Sequence, residues 1–149
     1  MLNCAYRIYA KTIALILCNH MKEWINKEQK GFIKGRYILD AFIAIWEGME
    51  FAEETKQDYI FFKIDFEKAY DKVSWKYIIE SLKQMGCGED FCIMVKTLLG
   101  NATTRVNVNG ELTTSFKLSR SIQQGCPLAP LLYAIASDGL TWLVRDKMK

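Results

Sequence analysis

The segment that most constrains the fold of this chain is FFKIDFEKAYDKVSW, residues 61–75. From Tyr59 to Phe66 the residues are mostly β-branched or aromatic, and such a nearly continuous apolar run predicts a central strand covered on both faces. Asp65 lies at the end of this run, although an unpaired carboxylate is costly to bury. Two interpretations follow from the residues alone: the strand reaches solvent at Asp65, where a nearby lysine pairs with it, or Asp65 holds a cation.

The composition indicates a single globular domain. The chain has 149 residues, 50% of them hydrophobic and 25% charged, which is enough to build a core and is unlike a disordered segment. The net charge of +3 permits a polyanionic partner without requiring one. Five scattered cysteines with no Cys-x-x-Cys pair, and a single histidine, argue against a zinc site and favour a reduced intracellular chain. The sequence has neither an apolar run long enough to span a bilayer nor the ordered segments of a signal peptide.

Apolar side chains three to four residues apart, capping residues and glycines predict five helices. Ser74 is a suitable N-cap for the third helix, and Gly86 follows the predicted end of that helix. The five predicted helices cover residues 3–25, 37–53, 75–85, 89–99 and 131–144. With the strand before the third helix and a hairpin before the last, the element order is α-α-β-α-α-β-β-α, which is an α+β pattern.

A β-hairpin is predicted over residues 103–118, around the Asn-Gly pair at 109–110. A two-residue loop would place Val108 and Leu112 on opposite faces of the hairpin. A three-residue loop, 109–111, pairs Val108 with Leu112 and collects the apolar side chains on one face. Because one buried face fixes the register of a strand pair, we expect the three-residue loop.

Three polar stretches are candidates for chemistry, and each also has a plain structural explanation. Asp65 suits a hard divalent cation, which prefers oxygen ligands, whereas Asp71 more simply brackets the turn before the third helix. The loop SIQQGCPLAP before the last helix could present the Gln124 amide and the Gly125 backbone to a flat ligand. The basic loop GFIKGR, residues 31–36, could meet phosphates or merely connect two helices.

These stretches occur together and in an order that resembles the reverse transcriptase domain of non-LTR, LINE-type retrotransposons, most of all plant-type elements. NCAYRIYAKTIALILCNHM is similar to the family's segment after its Arg-Pro-Ile motif, and QKGFIKGRYILDAF is similar to its Gln-x-Gly-Phe-x-x-Gly-Arg segment. FKIDFEKAYDKVSW is similar to motif A, and NVNGELTTSFKLSRSIQQGCPLAPLLY is similar to motif B and the approach to it. The resemblance implies an α+β fold that is a partial right-hand polymerase: one partial domain over residues 1–149, with fingers-like residues 1–55 and palm-like residues 56–149.

The same resemblance implies an RNA-directed DNA polymerase, which extends a DNA primer on an RNA template from deoxynucleoside triphosphates. Its cofactor would be Mg²⁺, with two ions per site in the family's nucleotidyl-transfer mechanism. Asp65 matches the motif-A carboxylate, which is a catalytic metal ligand. Phe66 matches a position whose backbone lies at the site of the metal and the triphosphate.

The resemblance also assigns residues to the nucleotide and the nucleic acid. Tyr70 matches the aromatic residue that packs under the incoming sugar and screens its 2′ position. Gln124 and Gly125 match the motif-B pair near the incoming nucleotide and the template. Lys34 and Arg36 fall in the fingers segment that is expected to meet the phosphates of template or primer.

The sequence also departs from the family pattern. The motif-C hairpin, aromatic-x-Asp-Asp, has no counterpart, since no Asp-Asp pair occurs in the 149 residues. We therefore expect a chain that is truncated before motif C and inactive alone. Within motif B, Ser121 stands where the family usually has glycine, and Gln123 stands where it usually has arginine.

Two other interpretations of function are left open by the sequence. The chain could be a non-catalytic RNA- or protein-binding module derived from a retrotransposon, with Lys34, Arg36 and the basic residues of the first helix as its surface. Judged without the resemblance, Asp65 and Asp71 would suit a small metal-dependent phosphohydrolase, although no second carboxylate cluster or general base accompanies them.

Overall fold

The computed structural model describes residues 3–100 and 102–147, and the elements in them are mainly helical. The helices are α1 (Cys4–Trp24), α2 (Leu39–Thr55), α3 (Ala69–Lys72), α4 (Trp75–Gln84), α5 (Glu89–Gly100) and α6 (Ala129–Lys147), and the strands are β1 (Thr103–Thr104), β2 (Asn107–Val108), β3 (Glu111–Leu112) and β4 (Phe116–Lys117). The five helices predicted from the sequence are confirmed to within three residues at each end, and the one-turn α3 is added. Within the described ranges, no helix is long and apolar enough to cross a membrane.

The core lies where α1, α4, α5 and α6 pack together. On α1 the buried positions are three or four residues apart, which makes one apolar stripe along the helix. Tyr9 and Ile16 are 40% and 43% exposed and lie at the margin of this stripe. The buried side chains of the four helices are Ala10, Ile13, Ala14, Leu17 and Met21 on α1, Ile78 and Leu82 on α4, Cys92, Val95, Leu98 and Leu99 on α5, and Ala129, Leu131, Leu132, Ala134 and Ile135 on α6.

Arg36 closes the end of α1 from the loop that follows it. Its guanidinium donates four hydrogen bonds, of 2.5–2.9 Å, to the backbone oxygens of Lys22, Ile25, Asn26 and Gln29. Lys22 lies in the last turn of α1, where carbonyls have no partner within the helix, and the other three acceptors belong to the C-cap and the segment after it. A positive charge at this end is also favoured by the helix dipole. The planar fork of arginine can serve several acceptors at once, which the ammonium of lysine cannot do with the same geometry.

The N-terminus of α4 forms as the sequence predicts. The Ser74 side chain accepts a hydrogen bond from the backbone N–H of Tyr77 at 3.5 Å, and Ile78, four residues after this cap, is fully buried. Gly86 has a φ of +87° just past the end of the helix, a conformation that favours glycine. Tyr77 also reaches α6, where a Cβ atom on Gly139 would overlap the Tyr77 hydroxyl. These features fix where α4 starts and how closely it approaches α6.

Helix α2 contributes nothing to the core. None of its residues is buried, and its large apolar side chains, such as Phe42 and Trp46, are exposed. The helix also carries five acidic residues and no basic one: Asp40, Glu47, Glu50, Glu53 and Glu54. It is therefore a negatively charged helix with an uncovered apolar surface.

The strand predicted from Tyr59 to Phe66 is wrong, because this segment forms no regular element in the structure. Its side chains are exposed, and Ile60 and Phe62 are 82% and 80% accessible. A strand needs the N–H and C=O groups of a neighbour to complete its hydrogen bonds. In the described ranges, the strands after α5 pair only with one another. The apolar composition of residues 59–66 thus favours burial, but no neighbouring strand in the described ranges pairs with this segment.

The three-residue loop predicted for the hairpin is also wrong. Asn107 pairs with Leu112 and Val108 with Glu111, so the loop has two residues, Asn109 and Gly110. These two residues have φ values of +52° and +95°, which is the backbone of a type I′ turn. The expected one-sided burial is missing because both β2 and β3 are exposed. With no buried face to choose the register, the turn residues decide it.

Further from the turn, the predicted register is correct. Thr104 pairs with Phe116 and Thr103 with Lys117, which continues the alignment that a three-residue loop would give. Two residues separate β1 from β2, whereas three separate β3 from β4. The hairpin therefore contains one extra residue on its second arm, as in a β-bulge, and this residue reconciles the two registers.

We predict that Arg36 is a stabilising residue. Replacing Arg36 by Gln should lower the free energy of unfolding by about 2 kcal/mol, because several carbonyls at the end of α1 lose a charged donor. Urea unfolding followed by circular dichroism measures this difference. Lys34→Gln is the matched control, since Lys34 is an exposed residue of the same loop and surface substitutions usually change stability by less than about 0.5 kcal/mol. Equal losses in the two variants would contradict the prediction.

Candidate active site

Asp65 lies at an open cleft between the segment before α3 and the middle of α6. The cleft has a volume of about 450 Å³. Asp65, Phe66 and Glu67 contribute to one side, and Tyr133 and Leu140 of α6 contribute to the other. The Asp65 side chain is exposed, so no burial cost opposes its charge, and it is open to a ligand from solvent.

Two tyrosines stack on one another at the α6 side of this cleft, and Tyr133 is the one that lines it. Tyr70 and Tyr133 stack with their ring centres 4.9 Å apart and their planes at 29°. Burial raises the pKa of the Tyr133 phenol, and the neighbouring Tyr70 and Asp65 raise it further. Tyr133 connects the two predicted residues, because it stacks on Tyr70 and lines the same cleft as Asp65.

Backbone hydrogen bonds join the turn after Asp65 to the loop before α6. The N–H of Ile122 donates to the carbonyl of Tyr70 at 2.9 Å, and the N–H of Ser121 donates to the carbonyl of Val73 at 3.1 Å. An isolated bridge between Ser74 and Arg120 extends the same pairing. Two stretches about 50 residues apart in the sequence are thus joined by backbone hydrogen bonds. This pairing brings the sequence-predicted motif-A and motif-B segments together.

Ser121 is held by side chains as well as by its backbone. Its hydroxyl donates to Asp71 Oδ1 at 3.1 Å, and its carbonyl accepts from Trp75 Nε1 at 2.6 Å. Its φ of +87° lies in the left-handed region, which L-residues other than glycine occupy at a cost. Glycine, which the resemblance described above places at this position, would adopt this conformation without strain. Asp71 therefore links the two stretches instead of only bracketing a turn.

Gln124 and Gly125 form the exposed tip of this loop. The N–H of Cys126 donates to the carbonyl of Gln123 at 3.1 Å, which closes a turn around the pair. Gly125 has a φ of +82°, and a Cβ atom there would meet nothing within 4 Å. The glycine is therefore required by the backbone conformation, and the space beside it is open to a ligand.

Cys126 anchors the far side of the loop in the core. Its sulfur is buried and accepts a hydrogen bond from the Tyr6 hydroxyl of α1 at 3.6 Å. Burial and the Cys126 contact raise the pKa of the Tyr6 phenol well above its usual value.

The two basic residues predicted to meet phosphates lie away from the Asp65 cleft. Neither Lys34 nor Arg36 lines it. Lys34 is exposed, whereas Arg36 directs its guanidinium at the carbonyls that end α1. With four hydrogen bonds already made inside the chain, Arg36 has little donor capacity left for a phosphate.

A complete metal site is not formed by the described residues. Between residues 3 and 147, leaving aside residue 101, no three His, Cys, Asp or Glu side chains gather so that they could hold an ion. A hard cation needs several oxygen ligands, and Asp65 supplies one carboxylate. The residues present therefore do not fit two Mg²⁺ ions by themselves.

Comparison with known proteins identifies the family. The sequence matches the reverse transcriptase (RNA-dependent DNA polymerase) family over residues 1–148. The chain belongs to this family. It is 33% identical over 148 residues to the uncharacterized 149 kDa protein of transposon TX1 from Xenopus laevis. It is 26% identical over 136 residues to the Pol polyprotein of a type-1 retrotransposable element R2 from Popillia japonica, and 23% identical over 135 residues to that of the type-2 element R2DM from Drosophila melanogaster.

These alignments cover nearly all of this chain and little of the relatives. They span 99%, 91% and 89% of the chain, but only 11%, 18% and 13% of the three relatives. The resemblance to a non-LTR, LINE-type reverse transcriptase is therefore confirmed. The likeness to plant elements in particular stays a prediction. A reverse transcriptase domain with many helices and few strands also agrees with the α+β expectation.

Three residues of this site have roles that the sequence reasoning did not identify. Tyr133, Trp75 and Tyr6 contact Tyr70, Ser121 and Cys126 respectively. Each of them belongs to a helix whose apolar spacing already accounts for an aromatic residue. The one available signal was Ser121, which the resemblance places where glycine is usual, because a side chain at such a position calls for a compensating contact.

We predict that strain and a hydrogen bond oppose each other at Ser121. Replacing Ser121 by Ala removes the bond to Asp71 but keeps a side chain at positive φ, so the free energy of unfolding should fall by about 1 kcal/mol. Replacing Ser121 by Gly also relieves the strain, so this variant should be more stable than the Ala variant by about 0.5–1 kcal/mol. Chemical denaturation of both variants, repeated in an Asp71→Ala background, provides the measurement. A Gly variant no more stable than the Ala variant would refute the strain.

Proposed function

We propose that this chain is part of an RNA-directed DNA polymerase and that it supplies one half of a nucleotidyl-transfer site. The observation that carries the proposal is the pair of backbone hydrogen bonds that hold the Tyr70–Val73 turn against the Ser121–Ile122 loop. A polymerase needs a metal-binding carboxylate and a nucleotide-facing loop near one another. Nucleotidyl transfer is the reaction of the family to which the chain belongs.

Each residue of the half-site has a proposed role. Asp65 is the catalytic carboxylate and metal ligand, and the backbone of Phe66 lies where the triphosphate would meet the ion. Tyr70, supported from behind by its stack on Tyr133, packs under the sugar of the incoming nucleotide. Gln124 and Gly125 face the nucleotide and template from the exposed tip of their loop.

Mg²⁺ is the proposed cofactor because reverse transcriptases generally depend on it. Asp65 would be one of its ligands. The other carboxylates would have to come from outside the described residues, which gather no further donor set. Positioned charge is usually the largest part of transition-state stabilisation, so an incomplete donor set should leave little activity.

The division into fingers-like residues 1–55 and palm-like residues 56–149 is also a proposal. Its support is the order of the motif-like segments along the chain. In the structure, α1 of the first segment shares a core with α4, α5 and α6 of the second, so the two segments do not fold around separate cores. Template, primer and nucleotide are the proposed partners. Lys34 is the proposed phosphate contact of the first segment, and Arg36 acts chiefly by ordering the loop that carries it.

We predict that a polypeptide of these 149 residues does not extend a primer. The test is a primer-extension assay with an RNA template, Mg²⁺ and deoxynucleoside triphosphates, in which no product above the protein-free background is expected. The physical reason is that one carboxylate cannot position two ions. Template-dependent extension that Asp65→Ala abolishes would overturn this prediction.

The half-site itself is tested by a graft. All 149 residues replace the matching segment of an active reverse transcriptase of the same family, because α1 shares a core with α4, α5 and α6. The chimaera should extend a primer. Asp65→Asn should reduce its kcat by at least about 10²-fold, as expected when a group that stabilises transition-state charge is removed. Asp90→Asn is the matched control, because Asp90 is exposed and does not line the Asp65 cleft. Comparable activity of the two variants would refute the role of Asp65.

A further inference from the structure

A second surface, separate from the Asp65 cleft, has the chemistry of a nucleic-acid site. It consists of two adjacent clefts at the junction of α4, α5 and the hairpin, with volumes of about 510 and 660 Å³. Trp75, Leu99 and Leu118 line both clefts and form the ridge between them. The cleft that contains Lys76, Lys83 and Lys96 is called the lysine cleft here, and the cleft that contains Tyr6, Tyr9 and Gln123 is called the aromatic cleft.

The lysine cleft concentrates positive charge around an apolar floor. Lys76 and Lys83 are seven residues apart on α4 and share a face of that helix, and Lys96 approaches from α5. Glu80 is the acidic residue of the lining, and it lies 3.8 Å from Lys76. In the described part of the chain, neither Lys83 nor Lys96 forms an ion pair. Positive charge therefore exceeds negative charge in this cleft, which suits an anionic ligand.

The aromatic cleft is lined by uncharged residues. Tyr6, Tyr9 and Trp75 supply aromatic surface, and threonine hydroxyls and the Gln123 amide supply hydrogen-bonding groups. A flat ring with a polar edge suits such a lining, because the ring can lie on an aromatic side chain while its edge meets a hydroxyl or an amide. Nucleobases have this combination of a flat face and a polar edge.

We propose that the two clefts together bind single-stranded RNA, with phosphates on the lysines and bases in the aromatic cleft. Single-strand-binding proteins combine a positive groove with aromatic stacking surfaces in the same way. A duplex keeps its bases stacked inside and would leave the aromatic cleft unused. The choice of RNA over another polyanion rests on the proposed function. The surface shares no residue with the lining of the Asp65 cleft, although Tyr6, Trp75 and Ser121 of the aromatic cleft also hold the loop before α6 in place.

The test is fluorescence anisotropy of a labelled, unpaired RNA of mixed sequence, about 20 nucleotides long, which exceeds the site size of typical single-strand-binding folds. The triple variant Lys76→Gln, Lys83→Gln, Lys96→Gln should bind at least tenfold more weakly. The slope of log affinity against log salt should become shallower by about 2, since each lost phosphate contact removes about 0.7. Tyr9→Ala should weaken binding without changing the slope.

The matched control removes three exposed lysines that line neither cleft, through Lys22→Gln, Lys27→Gln and Lys56→Gln. It carries the same net charge as the first variant and should keep the parent affinity and salt slope. Equal weakening of the two triple variants, absence of RNA binding by the parent chain, or equal affinity for duplex RNA would each overturn the proposal. Preference for an acidic peptide over RNA would overturn it as well.

The outcome is separable from that of the half-site. Asp65→Asn should leave RNA affinity unchanged, because Asp65 does not line the two clefts. The triple lysine variant, introduced into the chimaera, should leave the rate of primer extension unchanged when the template is saturating. An active chimaera combined with no RNA binding would reject only the two-cleft surface. RNA binding combined with equal activity of the Asp65→Asn chimaera and its control would reject only the half-site.

Discussion

The hydrogen bonds from Ile122 and Ser121 to the carbonyls of Tyr70 and Val73 are the interaction on which the site depends. Neither stretch is held in place by local structure alone, because α3 is a single turn and the loop before α6 has two residues at positive φ. The hydrogen bonds between the two stretches fix the conformation of both. The pairing also links the core to the surface of the Asp65 cleft, because Ile122 is buried among the helices while Tyr70 stacks on Tyr133, which lines that cleft.

The helices could be predicted because their signals are local. Ser74 caps α4 within one turn, and the buried residues of α1 repeat at helical spacing. The strand at residues 59–66 could not be predicted correctly from its own composition, because a strand depends on a neighbour that the segment itself does not specify. The hairpin could be predicted in part. Its turn is indicated by the Asn-Gly pair, but the predicted register near the turn assumed a buried face, and the strands are exposed.

The site divides in a similar way. Asp65, Tyr70, Gln124 and Gly125 are named from the motifs and their roles stay predictions, whereas the contacts that Tyr133 and Trp75 make with Tyr70 and Ser121 are visible only in the structure. Arg36 is instructive, since a basic residue in a glycine-broken loop suggests an external phosphate, yet the nearest acceptors are carbonyls of its own chain. Sequence identifies which groups are capable of a reaction, but their actual partners are set by tertiary structure.

The acidity of α2 has a consequence for the whole molecule. This helix holds five of the 17 acidic residues and none of the 20 basic ones. The remaining sequence therefore has twenty basic residues against twelve acidic ones, and its positive charge is considerably larger than the modest net value suggests. At low ionic strength, the electrostatic field would orient an approaching polyanion before any contact is made. The field would direct the polyanion away from α2 and toward the basic part of the chain. Added salt would shorten the range of this orienting field, so the frequency of productive encounters would change even if the bound state did not.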